Sequence, residues 1–155
     1  MEKILLFAIL IIFFISACAK TEQQAPKTIP IMPTDDVSKL APEQVVILYF
    51  QAWNDKKYDM MYSLVSDGFK QIEPTAKTFE EFKSYMEKFY DASLGIRVVE
   101  TKENYKNEEE AGIDYKIEIT NKDSTKKEFS STYTLKKRAN GWKLIHPYGE
   151  NIDTS

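Results

Sequence analysis

Hydrophobic residues change their spacing repeatedly along this chain, and each change marks a different element. From Ile4 to Phe14 they run unbroken. From Ala19 to about Ala41 they thin out among Lys, Thr, Gln, Pro and Asp, and Pro26, Pro30 and Pro33 keep that stretch extended. From Pro42 they return at helical spacing, with Val46, Phe50 and Trp53 at i, i+4 and i+7 and Tyr49 beside them. Pro42 suits a first helical turn because its missing donor would be unpaired there anyway, and Glu43 complements the helix dipole. The β-branched run Val45-Val46-Ile47 favours a strand, but the proline start and the length of the run predict a helix. Asn54-Asp55-Lys56-Lys57 is a polar turn. A second helix is expected from about Tyr58 to Ser66, turning Met61, Leu64 and Val65 inward, with Gly68 as its stop. Phe69 to Ile72 reads as a short strand before Pro74. Thr78 and Glu81 then form a capping box. Phe79, Phe82, Met86, Phe89 and Tyr90 follow at helical spacing, with Tyr85 adjoining, in a helix expected to end near Leu94-Gly95.

Beyond Gly95 the period drops to two. Arg97 to Asn104 is the first strand candidate. Ile113, Tyr115, Ile117 and Ile119 alternate with Asp114, Lys116 and Glu118, and Phe129, Ser131, Tyr133 and Leu135 alternate with Glu128, Ser130, Thr132 and Thr134. Asn107 to Gly112 is a turn, Asn140-Gly141 is a hairpin signal, and Trp142 to Tyr148 is the last strand. A turn centred on Ser124 sets Tyr115 opposite Tyr133, Ile117 opposite Ser131 and Ile113 opposite Leu135. A two-residue Asn140-Gly141 loop sets Ala139 opposite Trp142 and Leu135 opposite His146. Both registers put Trp142, Leu144 and His146 on the face that carries Tyr115, Tyr133 and Leu135.

The N-terminus changes the picture of where this domain works. Lys3, the apolar run and the small residues Ser16 and Ala17 before Cys18 read as a secretion signal. The run is short of the roughly 20 residues a membrane-spanning helix needs. Ile15-Ser16-Ala17-Cys18 resembles the lipobox of prokaryotic lipoproteins. That resemblance implies cleavage after residue 17 and a diacylglycerol on the Cys18 sulfur. Two or more acyl chains give durable attachment at about 0.8 kcal/mol per buried methylene. Residues 18–41 then form a tether that holds the domain roughly 25 Å from the surface, and the expected location is a cell membrane or outer membrane, outside the cytoplasm. Cys18 is the one cysteine of 155 residues, so no intramolecular disulfide can form and the core alone must stabilise the fold. A net charge of -3 argues against a nucleic-acid partner, which draws on a concentrated basic face. The run Lys136-Lys137-Arg138 reads as a solvated strand edge.

Helices first, then antiparallel strands with one apolar face, define an α+β domain over residues 42–150, with helices on one side of a curved sheet of about four strands and a tail at 151–155. Pro42-Glu43-Gln44-Val45-Val46, Tyr49-Phe50-Gln51-Ala52-Trp53-Asn54-Asp55-Lys56-Lys57-Tyr58 and Asn140-Gly141-Trp142-Lys143-Leu144 resemble the nuclear transport factor 2-like superfamily, a cystatin-like roll. The likeness implies a conical cavity between helices and sheet. In this register the residues placed to line it are Tyr115, Tyr133, Trp142 and His146 from the strands, and Tyr85 and Phe89 from the preceding helix.

Chemistry in that cavity is incomplete on the sequence. Isomerase-like relatives pair an inward carboxylate with a tyrosine, whereas Asp114, Glu118 and Glu128 face outward here. His146 is the single histidine, and no orienting partner stands near it in the sequence. One histidine and one cysteine make no metal-ligand set. There is no glycine-rich phosphate loop and no serine-nucleophile motif, so no cofactor or metal is expected. Aromatics at 13% remain, and tyrosines suit pockets and interfaces because each joins apolar area to one hydrogen bond. The first expectation is a non-catalytic domain binding a small hydrophobic ligand or an envelope protein. The alternatives are an isomerase- or hydrolase-type enzyme using His146 with a tyrosine, and a module that forms a homodimer through its open sheet.

Overall fold

The computed structural model describes residues 36–90 and 93–147. The leader, Cys18, most of the tether, Tyr148 and the tail lie outside the described residues. Helix α1 (Pro42–Asn54), α2 (Tyr58–Leu64), α3 (Asp67–Ile72) and α4 (Phe79–Tyr90) precede four strands, β1 (Ser93–Lys106), β2 (Glu110–Asn121), β3 (Lys126–Arg138) and β4 (Gly141–Leu144). The strands form one antiparallel sheet in the order β1-β2-β3-β4, with the helices on one face. Among the described residues no helix is long and apolar enough to cross a membrane.

Helix α1 is fixed at both ends. Pro42 stands at its first position, and the Gln44 side chain accepts from the Ala41 amide at 2.9 Å. Near its start Glu43 accepts from the Thr101 hydroxyl at 2.6 Å, and at its end Asn54 Oδ1 accepts from the Ile96 amide at 3.2 Å. Helix α1 therefore lies antiparallel along β1. Eleven residues of helix at about 1.5 Å and five of strand at about 3.3 Å span the same ~16 Å. Its inner stripe, Val45, Val46, Tyr49, Phe50 and Ala52, joins Met61 and Leu64 of α2 and Ile113, Tyr115, Ile117, Leu135 and Leu144 of the sheet in one buried cluster. Strand β1 is bulged between Ser93 and Gly95, Val98 and Glu100, and Glu103 and Tyr105, whereas β2 and β3 pair without a break. Each extra residue bends its strand, so the curvature over α1 is concentrated in β1.

Several expected boundaries shift. Residues 69–72 are helical, because Ser66 caps α3 by accepting from the Phe69 amide at 2.9 Å, and Gly68 is interior to that helix instead of ending the one before. Val65 leaves α2 to bridge Leu144 in parallel. Helix α4 ends at Tyr90, and β1 begins earlier than expected, at Ser93. The turn after β1 is shorter than 107–112, since the Asn107 side chain accepts from both Glu109 and Glu110 amides and β2 starts at Glu110. Strand β4 stops at Leu144, leaving His146 beyond the sheet. At the other end, Val37–Lys39 form a short 3-10 turn capped by Asp36, and Leu40 is buried.

Both hairpin registers differ from expectation by two residues. Ile113 pairs with Tyr133, Tyr115 with Ser131 and Ile117 with Phe129; Leu135 pairs with Leu144 and Lys137 with Trp142. The first loop is Lys122-Asp123-Ser124, closed by Ser124 N donating to Asn121 O at 2.9 Å and by Asn121 N donating to Thr125 O at 2.8 Å. Ser124 takes the left-handed conformation at φ 66, as a three-residue hairpin loop requires. The second loop is Ala139-Asn140, closed by Arg138 and Gly141. Moving a loop centre by one residue moves every partner by two. Because side chains alternate with a period of two, each one returns to its expected face.

Gly141 has φ 102, and a Cβ there would lie 2.8 Å from the Ser38 Cα. Gly141→Ala meets both backbone strain and a backbone clash. Urea unfolding should show it less stable by about 1–3 kcal/mol with an unchanged slope; an equal midpoint would refute the contact.

Candidate functional site

Helix α1 and the two central strands bring four rings together on the inner face. Tyr115 stacks on Tyr133 with centroids 4.7 Å apart, Phe50 lies 4.9 Å from Tyr115, and Tyr49 meets Tyr133 edge-on at 5.9 Å. Tyr115 and Tyr133 are diagonal neighbours, because Tyr115 pairs with Ser131 and Tyr133 with Ile113, a spacing that long rings bridge. Burial pushes the Tyr49 hydroxyl far above its ordinary value, and Tyr115 and Tyr85 add to that. Burial likewise raises Tyr133, with Tyr49 and Tyr115 reinforcing it. Tyr115 is raised by burial against hydrogen bonds from the Tyr133 and Ser131 side chains, which favour its ionised form. At neutral pH these are protonated phenols, able to donate and accept but not to act as bases.

The path of rings continues outward. Trp53 lies 6.3 Å from Phe50, Phe89 meets Trp53 edge-on at 6.4 Å, and Tyr85 meets Phe89 at 4.9 Å. On the strand side Phe129 lies 6.2 Å from Tyr115. The outer members are open, with Tyr85 40%, Phe89 49% and Phe129 51% exposed. Trp53 Nε1 is buried with no acceptor among the described residues. Four of the residues expected to line a pocket, Tyr115, Tyr133, Tyr85 and Phe89, thus lie on one continuous aromatic strip. Phe50, Trp53 and Phe129 complete it. Phe129 was legible as an inward strand position, but its exposure was not.

Trp142 and His146 lie elsewhere. Trp142 is buried on β4 beneath Lys137, whose ammonium is 5.3 Å from the ring centroid. His146 Nε2 is 3.3 Å from Glu73 Oε2, and its ring is 5.1 Å from Phe69. The orienting carboxylate that the local sequence lacked is supplied from far along the chain. Glu73 also accepts from the Thr75 hydroxyl and amide; the hydroxyl bond does most to hold its carboxyl below the usual range. The pair closes the α3 end of the domain onto the chain after β4.

Asp114, Glu118 and Glu128 lie on the opposite face of the sheet. Glu118 binds Arg97 at 3.3 Å and Lys126 at 3.0 Å, Glu128 binds Lys116 at 2.6 Å, and Asp114 accepts from Thr132. A shallow groove of about 420 Å³ runs across that face, between Glu100 and Lys102 on one side and Ser130 and Thr132 on the other. A second cleft of about 350 Å³ lies beside the β3–β4 turn. Among the described residues no group of His, Cys, Asp and Glu could hold a metal ion.

Helices folded over the inner face of a bulged four-stranded sheet define the NTF2-like, cystatin-like class of α+β roll. The chain belongs to the family described as the NTF2-like N-terminal transpeptidase domain, which matches residues 41–147. No curated protein sequence matches it. Among solved structures it is similar to an NTF-2 like protein of unknown function from Shewanella oneidensis (16% identity, TM-score 0.51, covering 74% of this chain and 96% of that one). It is also similar to a SEC-C motif containing protein from Rhodopseudomonas palustris (12% identity, TM-score 0.51, 68% and 76% covered). A protein with a cystatin-like fold from Nostoc punctiforme matches at 12% identity and TM-score 0.50, with 66% and 82% covered. At these identities the likeness is one of fold.

Burial gives a testable alkaline signature. The folded values of Tyr49 and Tyr133 stand above the ordinary 10. Their contribution to stability is therefore whole below pH 10 and is lost as pH rises through the higher folded values. In a spectrophotometric titration Tyr49 and Tyr133 should ionise only together with loss of tertiary structure. Ionisation of every tyrosine at pH 10–11 in a protein that stays folded would contradict the buried cluster.

Proposed function

We propose that this NTF2-like domain is a non-catalytic binding module, held to a membrane outside the cytoplasm by a lipid on Cys18. The observation that carries the reading is the aromatic strip. Tyr85, Phe89 and Phe129 are large rings left open to water, contiguous with buried phenols and a Trp53 N–H that has no acceptor among the described residues. Clustered apolar exposure marks a binding surface, and a buried donor without an acceptor favours a ligand that supplies one. The occupant that fits is a small hydrophobic molecule, or an apolar side chain of an envelope protein, bearing a hydrogen-bond acceptor.

A hydrolase or isomerase reading finds less support. The carboxylate that α1 brings to the face of Tyr115, Glu43, is engaged with the Thr101 hydroxyl, and His146 is engaged with Glu73 beside Phe69. The outer face of the sheet is laced with its own ion pairs and offers a homodimer little apolar area. Members of the family are described as N-terminal domains of transpeptidases, and an accompanying role agrees with a site rich in rings and poor in bases.

Two measurements test this. Cys18→Ala should abolish palmitate labelling and move the protein from the membrane pellet to the soluble fraction; equal labelling of the variant would remove the anchor. The neutral fluorescent probe N-phenyl-1-naphthylamine should bind the full-length protein. Phe89→Ser and Phe129→Ser should each weaken that binding by about tenfold, or ~1.4 kcal/mol. Unchanged affinity in both variants would remove the strip as the site.

A further inference from the structure

The cleft beside the β3–β4 turn gathers positive charge in a protein whose net charge is -3. Lys70 from α3, Arg138 from the end of β3 and Lys143 from β4 border its roughly 350 Å³, and Asp67 is the one acid in the lining. Lys143 is only 7% exposed. Its ammonium donates to the Ser63 carbonyl at 2.7 Å, which uses one of three donors. Burial, with the Lys70 charge nearby, holds its pKa below the ordinary lysine range. Lys70 binds Asp67 at 3.0 Å and lies 4.6 Å over the Tyr62 ring. Arg138 Nη1 donates to the Lys137 carbonyl at 3.2 Å.

Like charges held together in a partly enclosed space repel, and the repulsion grows as water is excluded. An anion entering the cleft relieves it. A guanidinium flanked by ammonium groups suits a tetrahedral, multiply accepting anion better than a single carboxylate. We propose that this cleft binds a phosphate-type oxyanion through Lys70, Arg138 and Lys143. Two residues of the basic run Lys136-Lys137-Arg138 split by role: Lys137 covers Trp142, while Arg138 lines the cleft.

Position suggests the source of the anion. The lining includes Arg138, Ala139 and Asn140, and the next residue, Gly141, packs directly against Val37 and Ser38. The segment that leads back toward Cys18 thus joins the domain at the same end as the cleft. The headgroup of an anionic phospholipid is then within reach. That choice of source rests on the Cys18 anchor; the oxyanion site itself does not.

Thermal unfolding of the full-length protein in neutral detergent micelles tests the site, comparing sodium phosphate with sodium chloride at equal ionic strength. Phosphate should raise the midpoint in a saturable way. Arg138→Glu and Lys70→Glu should each weaken the apparent affinity by at least about tenfold, the scale of one lost charge-assisted hydrogen bond. Lys102→Glu on the outer sheet face should leave it within about twofold, since surface charges at that distance are screened. If a charge reversal prevents folding, Lys70→Gln and Arg138→Gln carry the same comparison. Identical midpoints in the two salts, or an equal loss in Lys102→Glu, would overturn the proposal. Micelles doped with phosphatidylglycerol or phosphatidylcholine separate the sources. Where phosphate stabilises, a further rise with phosphatidylglycerol but not phosphatidylcholine, lost in Arg138→Glu, assigns the site to a headgroup; a response to inorganic phosphate without one to phosphatidylglycerol assigns it to a free oxyanion. Failure here leaves palmitate labelling and naphthylamine binding unaffected, so the two readings fail separately.

Discussion

The packing of α1 across the inner face of the sheet is the constraint on which the other features depend. Phe50 is 2% exposed and touches Tyr49, Trp53, Tyr115 and Tyr133. Truncating a ring so enclosed typically costs about 3–5 kcal/mol, a large part of a small domain's stability. Hydrogen bonds from both ends of α1 to β1 set the helix's position along the strand. The bulges of β1 let the sheet wrap it. Helix α4 packs on α2, where Tyr62 meets Phe79 and Phe82. Phe89 and Tyr85, on its later turns, stay open at the end of the ring path.

Strand alternation then divides chemistry between two faces. Inside lie rings and phenols whose hydroxyls burial keeps protonated. Outside lie carboxylates and basic groups paired across strands, each pair with at least one well-exposed partner, so that each contributes little to stability. Placing Asp114, Glu118 and Glu128 outside keeps the sheet's open face hydrated, and Glu43, which α1 carries to the inner side, is taken up by the Thr101 hydroxyl. The inner strip and the cationic cleft are separate surfaces that meet only on β3, which carries Phe129 and Tyr133 for one and Arg138 for the other, so one domain presents an apolar recognition surface and a charged one.

The alternation of Ile113, Tyr115 and Ile117 and the i, i+4, i+7 spacing of Val46, Phe50 and Trp53 made the architecture legible in the sequence, because burial enforces both periods. Register was less legible. Asn140-Gly141 looks like a loop pair, yet Gly141 closes the hairpin, since Ser38 from the far end of the chain leaves room for nothing larger. Residues 69–72 looked extended because Phe69 and Ile72 are apolar and precede Pro74, but a Ser66 side-chain cap, a local hydrogen bond, made them helical. The site was legible only in part. Tyr115, Tyr133, Tyr85 and Phe89 could be chosen as polar-tipped or helix-end aromatics. His146 could not be separated from them, because its partner Glu73 stands far away in the chain. The cationic cleft was hidden for the same reason: Lys70, Arg138 and Lys143 come from three elements, and no local run shows that they converge.

Native-state hydrogen exchange tests the central packing most directly. If α1 and the inner sheet form one cooperative unit, the amides of Val46 to Phe50 and of Ile113 to Ile117 should be the slowest in the domain. They should also share one opening free energy, equal to that of global unfolding. Exchange of the α1 amides by a separate, lower-energy opening, while β2 stays protected, would contradict the account.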